Sequence, residues 1–403
     1  MDIFNIGSNL STLKSSNKSL VLRVLNTLGQ TSRSELSRIT GLTKTTIKNI
    51  VNELLDSGLI YETGVVDSPS GRKPVLLNLS KDAFYSAGIY ISRDFVYSNV
   101  INLKGEVKGE YRCNFEMTES EPAFISIVCE CLQSAISISE IDINKIIGVG
   151  IASIGPLDIK NGIILDPPNF RGLKSIPIVS VINQRFKLPT FLDNDMNASA
   201  IAESLFGKGK NYSNLIYIGV TNGLGAGIII NNSLFRGSDG FGGEIGHTTI
   251  DIHGDICPCG NTGCLEIYAS IPSVVKQVKS SIELGVESSL SDRKPIAWTD
   301  IVSAASNGDK VCLKALEKLV YYMSIGLVNV INIFDPEIVF IGHEIALAGS
   351  LIIKPLGDIV NKNILFRNSK SVKIEISSFR EYAPCIGSGS IVLEKFFNGE
   401  IEK

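Results

Sequence analysis

Near residue 80 the apolar pattern changes period, and that change constrains the fold more than any other feature of the sequence. Before it, apolar residues recur at helical spacing in bursts cut by glycine. Leu20, Val21, Val24, Leu25 and Leu28 run to Gly29, Ser34 to Thr40 runs to Gly41, and Ile47, Ile50, Val51, Leu54 and Leu55 run to Gly58. Asn17, Ser32 and Thr43 stand where each helix would be capped, since a side-chain oxygen there accepts from an unpaired N–H of the first turn. Two helices joined by a short glycine turn make a helix-turn-helix. Leu59-Ile60-Tyr61 and Val75-Leu76-Leu77 bracket the turn-rich Asp67 to Pro74 and supply the strands of a wing.

After Tyr85 strands and helices alternate: strand over Ala87 to Ile101, helix over Ala123 to Ile138, strand over Ile146 to Ile151. A similar half begins at Leu215, where two apolar strands flank the glycine-rich Thr221 to Gly227. It closes with a helix over Leu313 to Phe334 and a strand over Ile338 to Ile341, separated by Pro336. The expected architecture is α/β: a winged helix-turn-helix over 1–80, then two α/β halves over 81–210 and 211–403.

The formal net charge of −3 hides an asymmetry. The first eighty residues carry nine basic and six acidic side chains, an excess of +3, which leaves −6 on the remainder. On the third helix the outward positions are Lys44, Thr45, Thr46, Lys48, Asn49 and Asn52, with no acid before Glu53. A helix entering the major groove of double-stranded DNA needs such a face, because a carboxylate there would meet a row of phosphates. Gly71, Arg72 and Lys73 in the wing suit a narrow minor groove, where the potential is most negative. The plainer alternative is a winged helix used for protein contact, its polar residues merely solvated. No run of about 18 apolar residues and no leader-like N-terminus occurs, so a cytoplasmic protein with no membrane partner is expected.

Three of the eight cysteines crowd together with one of the three histidines: His247, Cys257, Cys259 and Cys264, in the pattern H-x9-C-x-C-x4-C. Three thiolates and an imidazole fit a closed tetrahedral zinc site, structural because no coordination position stays open. Reduced cysteines in a loop are the plainer alternative. Cys129 and Cys131 lie in an apolar helical stretch and read as structural cysteines, buried or facing out.

At these residues the chain resembles the ROK family of bacterial repressors and sugar kinases, whose members share a duplicated actin/hexokinase-like fold. The resemblance rests on Gly243-Glu244-Ile245-Gly246-His247 and on Cys257-Pro258-Cys259-Gly260-Asn261-Thr262-Gly263-Cys264-Leu265-Glu266. It implies that Glu244, His247 and Glu266 contact sugar hydroxyls, with His247 ligating zinc through its other nitrogen. Leu192-Asp193-Asn194-Asp195-Met196-Asn197-Ala198 is similar to the family's sugar-binding segment, which puts Asn194 and Asp195 on the sugar and Asp195 where kinases keep their general base. Either residue could equally cap the helix Met196 to Phe206. Pro167-Pro168-Asn169-Phe170 and Gly155-Pro156-Leu157 look like family sugar-side loops, with Asn169 and Ser153 as contacts.

The resemblance weakens on the nucleotide half. A working ROK kinase would carry Asp-x-Gly-Gly-Thr after its first strand, so that bare backbone N–H groups reach the ATP phosphates. Here Tyr90 replaces the aspartate, Ser92 and Arg93 the glycines, and Asp94 the threonine. A carboxylate about 4 Å from a phosphate oxygen would repel it by about 4 kcal/mol. Thr221 to Gly227 lacks the usual opening Gly-Thr, and His343 stands where kinases have a second glycine after Gly342. Two classes of function follow: a DNA-binding sugar sensor, or a sugar kinase with a DNA-binding domain attached. The resemblance further implies an operator-bound repressor released by sugar, as a homodimer or homotetramer.

Overall fold

The computed structural model describes residues 10–65, 75–115, 120–166 and 173–401. Its N-terminal part is α1 (Leu10–Leu28), β1 (Thr31–Ser32), α2 (Arg33–Thr40), α3 (Lys44–Asp56), β2 (Ile60–Val65) and β3 (Val75–Leu79), the strands pairing in the order β1-β3-β2. The Ser32 hydroxyl caps α2 by accepting from the Glu35 N–H at 3.2 Å, and Thr43 caps α3 by accepting from Thr46 at 3.1 Å. Gly41 takes the left-handed conformation, φ 71°, which makes the turn between those helices tight. Asn17 is no cap: α1 begins seven residues earlier and carries Asn17 inside it. The wing turn, with Gly71, Arg72 and Lys73, lies outside the described residues.

The first α/β half follows as β4 (Tyr85–Ile91), β5 (Phe95–Asn102), β6 (Val107–Asn114), α4 (Glu121–Ser139), β7 (Ile146–Ser153), the short pair β8 (Leu157–Asp158) and β9 (Ile163–Ile164), α5 (Ile178–Phe186) and β10 (Thr190–Asn194). The single strand expected over Ala87 to Ile101 is an antiparallel hairpin, turned at Ser92–Asp94 with the Ser92 N–H donating to Phe95 O. The polar triplet Ser92-Arg93-Asp94 between two apolar runs marks the reversal, a signal that a single strand over this stretch overlooks. Among the described residues α4 alone is long and apolar enough to cross a membrane. It packs instead on the sheet, the Cys131 thiol lying 3.4 Å from Val96 O and 3.3 Å from Tyr111 O.

The second half comprises α6 (Asp195–Phe206), β11 (Leu215–Val220), β12 (Leu224–Ile230), β13 (Ser233–Leu234), α7 (Leu265–Tyr268), α8 (Ile271–Glu283), α9 (Trp298–Ser306), α10 (Lys310–Phe334), β14 (Ile338–Gly342), α11 (Ser350–Asn363), β15 (Lys373–Ile376) and α12 (Ala383–Asn398). The two sheets repeat one topology. β6-β5-β4 and β13-β12-β11 are antiparallel meanders, each continued by two parallel strands, β7-β10 and β14-β15. This is the duplicated α/β architecture expected.

The compact units are residues 1–194 with 385–403, and residues 195–384. These units part between Asn194 and Asp195, and residues 385–403 belong to the first. In each half the helix after the fifth strand joins the other unit: α6 follows β10 into the second, and α12 follows β15 into the first. Glycine makes the latter packing possible, since a Cβ on Gly150 of β7 would stand 2.0 Å from Ser388 O of α12.

Candidate functional site

The polar face of α3 is formed as the sequence suggests. Ile47, Ile50, Val51 and Leu54 are buried, while Lys44, Thr45, Lys48, Asn49 and Asn52 are exposed. Thr46 is half-buried, its hydroxyl 2.9 Å from that of Thr43, so the cap engages it.

In the second unit, glycines decide where the acidic groups stand. A Cβ on Gly243 (φ +97°) would lie 2.1 Å from Ala226 O, and one on Gly246 would lie 2.0 Å from Leu224 O. Backbone clashes of that size have no rotamer remedy, so only glycine lets this segment lie against β12. Between and beside them, Glu244 and His247 share one tight turn, the His247 N–H donating to Glu244 O at 3.2 Å. Glu266 lies in the first turn of α7, and its Oε2 accepts the Leu224 N–H at 3.0 Å, which fixes the carboxylate beside the β11–β12 turn. Burial pushes the Glu244 carboxyl above its ordinary value; the nearby His247 opposes this, while the charges of Asp195 and Glu266 reinforce it. Asp195, Glu244, His247 and Glu266 thus form one electrostatically connected group.

The expected glycine loop Thr221 to Gly227 is shorter than it looked. Only Thr221–Gly223 turn, and Gly225 and Gly227 lie within β12. There they admit α6: a Cβ on Gly227 would meet Met196 O at 2.3 Å and the Ala200 Cβ at 2.6 Å. In the first unit Asn194 ends β10 beside Ser153 of β7, its N–H donating to Asp193 Oδ1 at 2.8 Å. The Ser153 hydroxyl donates to Ile154 O at 3.1 Å. Asn169 and Arg72 lie outside the described residues.

His247, Cys257, Cys259 and Cys264 bring one ligand atom each within 4.8 Å of one another. The Cys259 and Cys264 sulfurs are 3.7 Å apart, and His247 Nδ1 is 3.9 Å from the Cys257 sulfur. Tetrahedral zinc with Zn–S bonds of about 2.3 Å separates its sulfurs by about 3.8 Å, so the donor set fits such an ion. The knot holds itself open by backbone bonds, Cys257 N–H to Asn261 O at 2.8 Å and Gly260 N–H to Cys257 O at 2.9 Å. Burial pushes the Cys264 thiol up to about 12 and raises Cys257, whereas a hydrogen bond from the Asn261 backbone brings Cys259 down to about 7. A bound divalent cation would hold all three as thiolates. Because Nδ1 faces the cysteines, His247 keeps Nε2 on the opposite edge of its ring.

Sequence reasoning gave no site role to His343 or Tyr217. Both are buried, Tyr217 Oη is 2.8 Å from His343 Nδ1, and His343 Nε2 is 3.8 Å from Asp195 Oδ2. The one signal was a histidine after Gly342, where kinases of the resembled family carry glycine.

A sequence model of the ROK family matches residues 87–395, beginning just after the winged helix-turn-helix. Over 388 residues the chain is 35% identical to the xylose repressor of Caldicellulosiruptor bescii, covering 96% of this chain and 97% of that protein. The crystal structure of a ROK family transcriptional regulator, homolog of the Escherichia coli MLC protein, matches with a TM-score of 0.81 and 28% identity, covering 96% of this chain and 97% of that one. A ROK family glucokinase from Streptomyces griseus, in complex with glucose and AMPPNP, matches with a TM-score of 0.67 and 26% identity, covering 98% of itself but 76% of this chain.

Proposed function

Because the chain belongs to the ROK family, we propose that it is a sugar-responsive, DNA-binding transcriptional repressor of carbohydrate-utilisation genes, cytoplasmic, with no membrane partner. The observation that carries this reading is the span of its relatives: the regulators match the chain over 96% of its length, winged helix included, and the kinase over 76%. Residues 1–80 are the DNA-binding part, with Lys44, Thr45, Thr46, Lys48, Asn49 and Arg72 on the operator. Asp195, Glu244, His247 and Glu266, with Asn194 adjoining in sequence and Asn169, bind the sugar.

Each acidic group suits that task. Glu266 has one oxygen committed to Leu224, which leaves the other to accept a sugar hydroxyl, and His247 Nε2 can meet a second. His247, Cys257, Cys259 and Cys264 would hold zinc, whose part is structural: it would fix the loop and the orientation of the His247 ring. A homodimer or homotetramer places two recognition helices on a palindromic operator. A sugar that prefers the DNA-free arrangement a hundredfold supplies about 2.7 kcal/mol to drive release. D-xylose is the first effector to try, since it is in the name of the relative at 35% identity.

Full-length protein is used to enrich operator fragments from genomic DNA, and binding is followed by fluorescence anisotropy while D-xylose, D-glucose and N-acetylglucosamine are titrated. A sugar should release the DNA, and Lys48→Ala should weaken binding, with the loss shrinking as salt rises. Operator binding indifferent to every sugar would sink the sensor reading. The kinase reading keeps one supporting observation, a carboxylate at Asp195 opening α6 beside the acidic group. A coupled ADP-release assay decides it: sugar-dependent turnover of about 1–100 per second would make the protein a kinase.

A further inference from the structure

His343 combines three features that a packing residue does not need. It is a non-glycine residue at φ +64°, its side chain is 2% exposed, and its Nε2 has no hydrogen-bond partner. A backbone in that region costs about 1–3 kcal/mol and persists only where its surroundings enforce it. Here they do. The His343 N–H donates to Arg380 O at 3.0 Å, the Ala346 N–H donates to His343 O at 3.0 Å, and the Trp298 indole donates to Glu344 O at 2.8 Å.

The neighbouring strands are cut away to seat the ring. A Cβ on Gly219 of β11 would stand 2.6 Å from His343 Nδ1, and one on the paired Gly342 would stand 2.0 Å from the Tyr217 hydroxyl. Two strands thus give up side chains at one register position, and the space holds an imidazole and a phenol in contact at 2.8 Å.

The contact by itself admits either tautomer, since a phenol can donate to Nδ1 or accept from it, and the carboxylate beside Nε2 decides between them. Tyr217 is wholly buried, and burial holds its phenol far above the usual range, so it remains an O–H donor. When it donates to Nδ1, the imidazole hydrogen sits on Nε2, which faces Asp195 Oδ2 at 3.8 Å. The other tautomer would aim a bare lone pair at a carboxylate. We propose that His343 is a positioning residue for Asp195, its Nε2–H directed by Tyr217 toward Oδ2 so that the second carboxylate oxygen is left to receive an effector hydroxyl. This rests on the reading of Asp195 as a sugar contact. The separation is roughly 1 Å longer than a hydrogen bond, a gap of the kind that closes when a ligand fills a site.

Two measurements on full-length, zinc-loaded protein test it. The first needs no sugar. The chain has three histidines, so ring ¹⁵N spectra assign His343 by the signals lost in His343→Gln. The Nε2–H tautomer is expected; Tyr217→Phe should mix the tautomers, and Asp195→Asn should shift the Nε2 resonance. An Nδ1–H tautomer, or a ring indifferent to Asp195→Asn, overturns the proposal.

The second is calorimetric titration with D-xylose and, separately, D-glucose. His343→Met should weaken binding about tenfold, the scale of one lost hydrogen bond to a charged group. His343→Gln keeps an N–H near the Nε2 position at the same backbone strain, and it should stay within about threefold of wild type. In an Asp195→Asn background the two variants should bind alike. Equal loss in both single variants, or a difference that survives Asp195→Asn, refutes the positioning role. If wild type binds neither sugar, the effector reading fails by itself and the ring spectra still decide whether the pair exists. They decide it equally if His343→Met does not fold.

Discussion

The β4–β5 and β11–β12 hairpins hold the same place in two sheets of one topology, yet their turns are built differently. In the first, the turn Ser92–Asp94 keeps its side chains, Tyr90 meets Phe95 edge-on at 5.7 Å, and the Arg112 guanidinium covers Phe95 at 3.8 Å. In the second, Gly223, Gly225 and Gly227 clear the backbone, and the vacated space admits the Glu266 carboxylate and helix α6. The first hairpin is sealed by its own aromatic and charged groups. The second is stripped so that carboxylates from distant parts of the chain can converge. One duplicated scaffold therefore gathers acidic groups around the second hairpin and keeps side chains at the equivalent position of the first.

The largest expected effect tests whether the second hairpin's chemistry depends on the metal knot. Cys259 is the exposed member of the His/Cys cluster, so Cys259→Ser removes a thiol without opening a core cavity. Metal content measured by atomic emission should fall from about one zinc per chain, and sugar affinity should drop by about a hundredfold or more. A metal-free variant that binds sugar normally would separate the two sites. Next comes Gly243→Ala, which forces a Cβ to 2.1 Å from Ala226 O at φ +97°. Denaturant unfolding should show a loss of about 2–3 kcal/mol. A loss under about 0.5 kcal/mol would mean that close approach to β12 is not what fixes the acidic turn.

Glu266→Gln should lower sugar affinity by roughly 1.5–3 kcal/mol, through the loss of a charge-assisted hydrogen bond, with little effect on stability. Unchanged affinity would place Glu266 outside the site. Smallest of all is the paired change Ser92→Gly with Arg93→Gly, which strips the first turn toward the pattern of the second. Stability should fall by no more than about 1 kcal/mol, since Ser92 and Arg93 are only half-buried, and no ADP release should appear. Sugar-dependent ADP release in that variant would show that two side chains alone separate sensing from phosphoryl transfer.

Much of this was legible in the sequence because it is local. Ser32 and Thr43 cap their helices through bonds spanning three residues, and the ligand spacing from His247 to Cys264 fits a loop that closes on itself. Where local signals were ambiguous the reading slipped. Asn17 has a capping side chain but sits inside α1, and the glycines at 225 and 227 looked like a loop although they lie within β12. A glycine needed for close packing and a glycine needed for a turn are indistinguishable until the neighbouring helix is known.

By itself the sequence determined the capped helices α2 and α3, the α/β class, the His/Cys cluster and the acidic residues near it in the chain, since each follows from side-chain chemistry or periodicity over a few positions. Only the tertiary structure decided that α6 and α12 join units other than those of the strands they follow. It also decided that Tyr217, His343 and Asp195 stand in line. That line joins residues 126 and more than 140 positions apart, one on a strand, one just past the end of another and one at the head of a helix, and no periodic pattern encodes such a contact. What produces it is packing: glycines at 219 and 342 leave a space in adjoining strands that one imidazole and one phenol fill, and the ring so held faces the carboxylate at the head of α6.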